Sequence, residues 1–440
     1  MEKQLAILGG EKCLSKKASS LRVKTLPEKA YQTVKELMDK DEISMSPIVA
    51  DFEKRFAEYI GVNYGLCVCN GTTSIMAGLF AVGVKPGDEV IVPSFTFWAS
   101  AGPIIAVGAN PRFADVEEDT HNVSAASIER LINEKTKAII VVHVWGNPCD
   151  MDAIMEVANR HGIKVVEDCS HAHGASYKGK KVGSFGDVGC FSLQGSKVLS
   201  AGEGGILVTN SKECFERAVA MGHYERCAAL GEDSEYSRYA LTGFGFKHRM
   251  HPLAVAIADA NLDELDARNE ARYKNAKRLE ELLSDLPFIR FQKEYDGAKK
   301  VFAYHYAQFV PEQMKGVALK ALLKAIAAEG VNCGSCGYGK LHLAPLYTKE
   351  GPFAAEYPFA SKDYPTDLAE SELPVTARLA QTAFMVVGRL ELATEEDLQE
   401  ISAAYHKIAA NVDELLEYQV SANVGGEIVN DGRSINYVKV

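Results

Sequence analysis

The features of a membrane or secreted protein are missing from this sequence of 440 residues. No apolar run approaches the roughly 18 residues that a membrane-spanning helix requires. The first residues, MEKQLAILGGEKCLSKK, contain no apolar core followed by a small-residue cleavage site. We therefore expect a soluble cytoplasmic protein that has no membrane partner.

An excess of basic residues is also absent. Lysine and arginine together number 48 against 59 aspartates and glutamates, and the formal net charge is -11. A surface that follows nucleic-acid phosphates needs clustered positive charge. The balance therefore disfavours nucleic acid as a partner and favours a small molecule, with any anion bound by a few local donors.

A dinucleotide-binding glycine motif and a cysteine pattern typical of disulfides or metal sites are also missing. No GxGxxG run lies between an early strand and a helix, which disfavours a nicotinamide oxidoreductase of the same alternating α/β pattern. The ten cysteines are scattered, many of them in apolar segments, as is typical of reduced core thiols. Cys333 and Cys336 form a CxxC pair without a second pair, so we predict no metal site.

Short apolar runs alternate with helical stretches between about residues 60 and 265. The predicted strands are YGLCVC, DEVIVP, ANPRFADV, AIIVVHVWG, KVVEDC, VGCFSL and GGILVTN, and the predicted helices include GTTSIMAGLFAVG, ASAGPIIAVG and DMDAIMEVANRHG. Apolar residues at consecutive positions are typical of parallel strands that are buried on both faces. The pattern predicts an α/β fold with a mostly parallel sheet sandwiched by helices.

A chain of this length exceeds what one hydrophobic core usually holds. The sequence predicts one long charged helix, LDELDARNEARYKNAKRLEELLSDL, which crosses residue 265. A strand in VFAYHYAQFV and helices in ALKALLKAIAAEG and TEEDLQEISAAYHKIAANVDELLE are predicted after it. We predict an N-terminal arm and helix over 1–40 and a large α/β domain over 41–265. A small C-terminal α+β domain over 266–420 and a tail over 421–440 would follow.

The stretch FSLQGSKVLSAGEGG places Lys197 among apolar residues and just before a glycine-rich run. A lysine amine becomes chemically useful when a carbonyl cofactor captures it as an imine, and pyridoxal 5'-phosphate is such a cofactor. This cofactor also requires a carboxylate at its pyridine nitrogen, an aromatic side chain over its ring and phosphate donors at the start of a helix. The sequence offers candidates for all three groups.

The carboxylate and phosphate candidates lie at predicted strand ends. Asp168 ends KVVEDC, where ligands of open α/β sheets bind, although an exposed strand-end acid or a helix cap would look the same. The turn NGTTS offers Gly71 and Thr72 at a helix start, where an ordinary cap is the alternative. Ser192 adds a hydroxyl if its strand runs alongside.

Aromatic and imidazole side chains complete the candidate site. PSFTFWAS supplies Phe97 and Trp98 at another strand end, although such aromatics most often belong to a core. His171 and His173 stand two apart after Asp168 but have no further ligand at a metal-binding spacing. We therefore expect His171 to hydrogen-bond the cofactor or the substrate.

Taken together, these motifs resemble the pyridoxal-phosphate-dependent sugar and cyclitol aminotransferases of the DegT/StrS family, which have the aspartate aminotransferase fold, fold type I. The resemblance runs from EISMSPIVADFEKRFAEYIG to ELPVTARLA and beyond, nearly the whole chain. It is most specific in VVEDCSHAHGASYKGKKVGSFGDVGCFSLQGSKVLSAGEGGILVTN, which matches the family in order, spacing and residue type.

The resemblance implies roles for single residues. Lys197 would hold the cofactor as a Schiff base and act with Asp168, which would face the pyridine nitrogen. The phosphate would be bound by Gly71, Thr72 and Ser192. Phe97 would stack on the cofactor ring, with Trp98 as the second candidate for the stack and as a candidate substrate contact.

The resemblance also implies a homodimer with shared active sites. In the family, a segment like GFKHRMHPLAVAIA completes the site of the neighbouring subunit, so Arg249 is the candidate that binds the partner's cofactor phosphate. The alternative is that Arg249 pairs with an acid at the interdomain hinge. His342, in GKLHLAPLY, matches a family position near the substrate.

The implied reaction moves an amino group from glutamate or glutamine to a keto-sugar or keto-cyclitol. His171 replaces a glutamine, and Lys247 an asparagine, of many members that act on nucleotide-linked sugars, which disfavours a nucleotide-linked substrate. The runs KHRMHPLAVAIA and LPVTARLA resemble the cyclitol branch more closely. A nucleotide-linked 3- or 4-keto-deoxysugar aminotransferase and a non-catalytic regulatory member remain alternatives. The family's dehydratases carry histidine in place of the lysine, so Lys197 disfavours them.

Overall fold

The computed structural model describes residues 4–23, 26–348 and 368–426. Its strands, in chain order, are β1 (Tyr64–Val68), β2 (Glu89–Pro93), β3 (Asn110–Ala114), β4 (Thr136–Val142), β5 (Lys164–Asp168), β6 (Ser176–Tyr177), β7 (Lys180–Lys181), β8 (Val188–Ser192), β9 (Gly205–Thr209), β10 (Ile289–Phe291), β11 (Ala298–Lys299), β12 (His305–Phe309), β13 (Gly334–Ser335) and β14 (Ala383–Val387). Its α-helices are α1 (Glu28–Asp39), α2 (Ile48–Ile60), α3 (Gly71–Ala81), α4 (Gly102–Ala106), α5 (Ala125–Leu131), α6 (Met151–His161), α7 (Lys212–Gly222), α8 (Tyr224–Cys227), α9 (Pro252–Asp263), α10 (Leu265–Leu282), α11 (Leu319–Ala328), α12 (Pro374–Thr382), α13 (Glu395–Ala410) and α14 (Val412–Ser421).

Seven strands form the main sheet in the order β1-β9-β8-β5-β4-β2-β3. Strands β2, β3, β4, β5 and β8 pair in parallel, whereas β9 pairs antiparallel with both β8 and β1. The inner strands are buried along nearly their whole length, which explains their continuous apolar runs. The predicted α/β class with a mostly parallel sheet is confirmed.

A second, antiparallel sheet has the order β10-β12-β14-β13 and packs with α11, α13 and α14 around a separate hydrophobic core. The N-terminal segment joins this unit, because the buried carboxylate of Glu329 accepts hydrogen bonds from the amides of Ala6 and Cys13. Helix α1 instead packs on α9, where Lys29 pairs with Asp259 at 2.8 Å. The N-terminal segment therefore contacts both halves of the molecule.

Several predicted elements differ from the structure. The long charged helix is two helices, because the Glu264 amide bonds to the carbonyl of Asn261, three residues back, and ends α9 there. The strand in VFAYHYAQFV is limited to β12, since Phe302 has a left-handed backbone with φ of 44°. The last helix breaks at Asn411, whose side-chain amide donates to the Lys407 carbonyl at 2.7 Å.

Other expectations concern burial and the chain end. Seven of the ten cysteines are buried, as expected for core thiols. Within the described ranges, no helix has the length and hydropathy that crossing a bilayer requires. Of the predicted tail, residues 427–440 lie outside the described residues. The proposed domain boundaries stay a prediction.

Candidate active site

Asp168 is the last residue of β5 and is only 5% exposed. The Ser100 hydroxyl donates to its Oδ2 at 2.7 Å, and the backbone amide of Ser170 donates to Oδ1 at 3.0 Å. The residues that follow form turns, so Asp168 does not cap a helix. Asp168 is therefore neither an exposed strand-end acid nor a helix cap, because its carboxylate is buried and both of its oxygens accept hydrogen bonds.

Lys197 lies in the turn between β8 and β9, where its amide donates to the Gln194 carbonyl at 2.8 Å. The neighbouring Val198 and Leu199 are buried, whereas Lys197 is half-buried. Two side chains from the C-terminal half reach the residue before it. The Tyr304 hydroxyl lies 3.2 Å from Ser196 Oγ, and Arg389 donates to the Ser196 carbonyl.

Gly71 and Ser192 are in direct contact, which brings the start of α3 beside the end of β8. A Cβ atom on Gly71 would lie 2.6 Å from the Ser192 Cβ, so only glycine fits this approach. The Asn70 side chain caps Thr73 at 2.8 Å, and the amides of Gly71 and Thr72 have no carbonyl partner within the helix. Two amides, a helix start and a hydroxyl are donors that fit a phosphate group.

His171 is buried beside Lys197 and is held in one tautomer. The Trp145 amide donates to its Nδ1 at 3.3 Å, with the Tyr338 hydroxyl 3.4 Å from the same atom. Nδ1 therefore carries no proton, and the neutral ring is protonated at Nε2. Burial, together with the nearby charge of Lys197, holds the pKa of His171 well below its usual value. His171 is thus a neutral hydrogen-bond donor.

The backbone beside His171 is strained. Trp145 has a φ of 55°, an uncommon conformation for a bulky residue, and its ring stacks on Tyr306 with centroids 4.0 Å apart. The next residue, Gly146, has a φ of 92°, and a Cβ there would meet the His171 carbonyl at 2.9 Å. The strained turn therefore fixes the position of His171.

Phe97 and Trp98 follow β2 and remain open to solvent, with 37% and 50% of their surfaces exposed. Their rings lie 5.2 Å apart and are tilted by 43°. Phe95, two residues earlier, is the aromatic of this segment that is fully buried in the core. Phe97 and Trp98 are therefore not core residues, and both are available to stack on a ligand.

His342 is fully buried, and its Nδ1 lies 2.7 Å from Ser94 Oγ at the end of β2. Burial also lowers the pKa of its imidazole. In the single chain, the described contacts of His342 are with Ser94 and with the ring of Phe113. These contacts place His342 against the ends of β2 and β3. Its proximity to the substrate stays a prediction.

Arg249 is the candidate that would bind the partner's cofactor phosphate. It lines a cavity of about 520 Å³ between the loop 43–47 and the segments 223–226 and 247–252, with its Nε 3.8 Å from Glu225 Oε1. In the described parts of this chain, no hydrogen bond or ion pair joins Arg249 to Gly71, Ser192 or Lys197. Glu225 belongs to α8, so Arg249 has an acidic neighbour in its own chain, and its role at the partner's cofactor stays a prediction.

One buried cluster has the composition of a metal site. Ligand atoms of His143, Glu167 and Cys169 lie within 4.8 Å of one another. Glu167 accepts hydrogen bonds from the amides of Gly183, Phe185 and Gly186, and His143 Nε2 lies 3.0 Å from it. Glu167 thereby joins β5 to the turn 183–186, and this structural role explains why the cluster is buried.

Sequence reasoning missed Ser100 and Arg389. Ser100 lies 68 positions before Asp168, and Arg389 lies 193 positions after Ser196, so no local spacing connects either pair. The hydroxyl spacing of Thr96 and Ser100 within PSFTFWAS was the available signal for the first. For Arg389, in VVGRLEL, a single sequence contains no comparable signal.

The turn that contains Lys197, the buried carboxylate of Asp168 and the start of α3 all lie at the carboxyl ends of strands in the mostly parallel sheet, where the sequence predicts a pyridoxal-phosphate site. A profile of the DegT/DnrJ/EryC1/StrS aminotransferase family matches residues 24–391, and the chain belongs to this family. The protein is accordingly an aminotransferase-family enzyme that uses pyridoxal phosphate, which confirms the predicted family, enzyme class and cofactor.

Individual relatives cover most of the chain. L-glutamine:2-deoxy-scyllo-inosose aminotransferase from Streptomyces fradiae is 36% identical over 364 residues, which are 81% of this chain and 85% of the relative. GDP-perosamine synthase from Caulobacter vibrioides is 41% identical over 254 residues, 58% of this chain and 67% of the relative. The crystal structure of an aminotransferase from Psychrobacter cryohalolentis superposes with a TM-score of 0.79 at 26% identity, over 91% of this chain and 100% of that one.

Proposed function

We propose that this enzyme moves an amino group from glutamine or glutamate to a keto-cyclitol or a keto-sugar, with Lys197 and Asp168 as its catalytic residues. The observation that carries the proposal is the buried carboxylate of Asp168, fixed through both oxygens at the sheet edge where the Lys197 turn also lies. An intact lysine and carboxylate count against a non-catalytic regulator and against a dehydratase.

The residues present fit pyridoxal phosphate. The amides of Gly71 and Thr72 and the hydroxyl of Ser192 would hold its phosphate, and Phe97 or Trp98 would cover its ring. When bound, the cofactor supplies an electron sink for negative charge on the carbon beside the transferred nitrogen. Asp168 would keep the pyridine nitrogen protonated, and Lys197 would carry the proton between the donor Cα and the cofactor C4′.

Arg389 is our candidate for the group that binds the donor's α-carboxylate. Its guanidinium touches the residue before Lys197, and burial lowers its pKa. The nearest acid in sequence, Glu391, is paired with Arg272 at 2.6 Å. Among the described residues, no carboxylate lies within ion-pair distance of Arg389. A partly desolvated guanidinium without an acidic partner suits a carboxylate ligand.

The acceptor is proposed as a keto-cyclitol. The scyllo-inosose aminotransferase aligns with 81% of this chain, whereas GDP-perosamine synthase aligns with 58%. His171, which replaces the glutamine of many enzymes acting on nucleotide-linked sugars, is a fixed neutral donor here. The higher identity of the shorter alignment, 41%, keeps a nucleotide-linked keto-sugar as the second candidate.

The active enzyme is proposed to be a homodimer with shared sites. The phosphate of the cofactor is close to doubly charged, but its donors in one chain are neutral groups and a helix start worth about half an elementary charge. Arg249 of the other subunit would supply the missing cation. The exposed side chain of Met45 lines the Arg249 cavity, and those of Phe244 and Phe246 shortly precede Lys247, which also lines it. Exposed apolar side chains are expected on a surface that a second chain covers.

Half-reactions test the proposal directly. We expect the visible absorbance of the loaded enzyme to fall on addition of glutamine or glutamate, and to return when a keto-inositol is added after the donor is removed. The matched control is Lys197→Ala, which lacks the base that moves the proton, so the donor should bind but should not convert the cofactor to its amine form. Recovery with a GDP-linked keto-deoxysugar instead of the keto-inositol would select the second candidate. No spectral change with either donor would refute transamination of these donors.

A further inference from the structure

Two buried hydroxyl groups stand behind Asp168. Thr96 and Ser100 follow β2, four residues apart, and each is only 1% exposed. The Ser100 Oγ lies 2.7 Å from Asp168 Oδ2, and Thr96 Oγ1 lies 3.0 Å from Ser100 Oγ. The three side chains therefore form a continuous line of hydrogen bonds that ends on the carboxylate.

The direction of each bond follows from counting protons. An ionised carboxylate can only accept, so the single proton of Ser100 points to Asp168. Ser100 then has no proton left for Thr96 and must accept the proton that Thr96 donates. Such a chain polarises each bond in the same direction, and in a buried setting this strengthens the final bond to the carboxylate.

We propose that Thr96 and Ser100 are positioning residues that keep Asp168 ionised, so that the proton it shares with the cofactor's pyridine nitrogen stays on the nitrogen. This inference rests on the proposed function, in which Asp168 faces that nitrogen. Donors that bind the charged form of an acid lower its affinity for a proton. Without Ser100, the carboxylate would bind a proton more strongly and would compete better with the pyridine nitrogen for the proton that they share.

The test uses the full-length enzyme loaded with pyridoxal phosphate that carries ¹⁵N at its ring nitrogen. The ¹⁵N chemical shift reports directly whether that nitrogen is protonated. We expect a pyridinium shift for the unmodified enzyme and for Ser100→Thr, which keeps the hydroxyl. Ser100→Ala should move the shift toward neutral pyridine and slow the donor half-reaction by about tenfold or more, the value of one hydrogen bond to a charged group.

Thr96→Val provides the second variant, because it keeps Ser100 and its bond to Asp168 while removing the outer donor. We expect a smaller change of the shift in the same direction. A merely structural role would lower the melting temperature of Ser100→Ala and leave the nitrogen shift unchanged, and that result would overturn the proposal. An unchanged shift in Thr96→Val would remove Thr96 from it.

Asp168→Asn separates this inference from the proposed function. If that variant changes the nitrogen shift and Ser100→Ala does not, the role of the two hydroxyls is refuted while Asp168 keeps its assignment. If Asp168→Asn leaves the shift unchanged, Asp168 does not face the pyridine nitrogen, and both the assignment and the inference built on it fail.

Discussion

The contact between Gly71 and Ser192 allows a quantitative test of the phosphate site. In Gly71→Ala, the new Cβ would lie 2.6 Å from the Ser192 Cβ and 3.0 Å from its Cα. Carbon atoms pack at about 3.5 to 4.0 Å, so the start of α3 and the end of β8 must separate by about 1 Å. Both backbones are packed into the core, and relieving such an overlap costs about 1 to 3 kcal/mol of folding stability.

The same displacement moves the helix amides away from the Ser192 hydroxyl. Hydrogen bonds to a charged group contribute about 1.5 to 3 kcal/mol each, so loss of one or two should weaken cofactor binding by about 100-fold. Ser192→Ala removes one hydroxyl without creating the overlap, and we expect about tenfold weaker binding with little change in the stability of the apoprotein. Gly334→Ala is the matched control, because nothing lies within 4 Å of a Cβ there.

Binding is measured by titrating the apoprotein with pyridoxal phosphate, and stability by urea unfolding of the same preparations. The phosphate site predicts that Gly71→Ala loses both affinity and stability, whereas Gly334→Ala retains both. A Gly71→Ala protein that loses 1 to 3 kcal/mol of stability but binds the cofactor with unchanged affinity would show that the phosphate is bound elsewhere.

Four further predictions address the remaining groups. Lys197→Ala should abolish borohydride trapping of the cofactor on the protein, and trapping at the unmodified level would refute the covalent assignment. Arg389→Gln should raise the donor concentration for half-maximal rate about 100-fold, as expected for loss of a charge-paired hydrogen bond, while leaving the acceptor half-reaction within about threefold; equal effects on both halves would contradict carboxylate binding. A mixture of inactive Lys197→Ala and Arg249→Ala chains should regain activity in heterodimers, whereas sites contained in single chains would stay inactive. Burial lowers the pKa of His173 to about 3, so below about pH 6.5 this side chain is protonated in the unfolded chain but not in the folded one. Between pH 6 and 4 the free energy of unfolding should therefore fall by about 1.4 kcal/mol per pH unit because of this group. An unchanged slope in His173→Asn would contradict this prediction.

The main sheet could be predicted from sequence because its inner strands are buried on both faces and appear as unbroken apolar runs. Strands β6, β7, β11 and β13 have two residues each and β10 has three, too few to show any period. Helix breaks were missed where a local hydrogen bond overrides propensity. The Glu264 amide bond and the Asn411 side chain are such cases.

The candidate site shows the same division. Asp168 and Gly71 could be selected because they stand at the end of a predicted strand and at the start of a predicted helix. Lys197 could be selected because it stands among apolar residues just before a glycine-rich run. The groups that act on them could not be, because Ser100 and Arg389 are defined only by contacts between distant parts of the chain. Family resemblance supplied the partner-chain role of Arg249, which the isolated chain does not display.

The contacts around Lys197 also explain why its turn needs the C-terminal half of the molecule. Tyr304 and Arg389 both hold Ser196, on one side of Lys197, and the Asn261 side chain donates to the Ser200 carbonyl at 2.8 Å on the other. The turn is thus tied to three segments that all follow it in sequence. These contacts hold the backbone of the turn, so in the proposed mechanism the orientation of Lys197 would cost little at the moment of reaction. The side chain itself is half-buried, which in the proposed mechanism would leave the amine free both to hold the cofactor and to carry a proton.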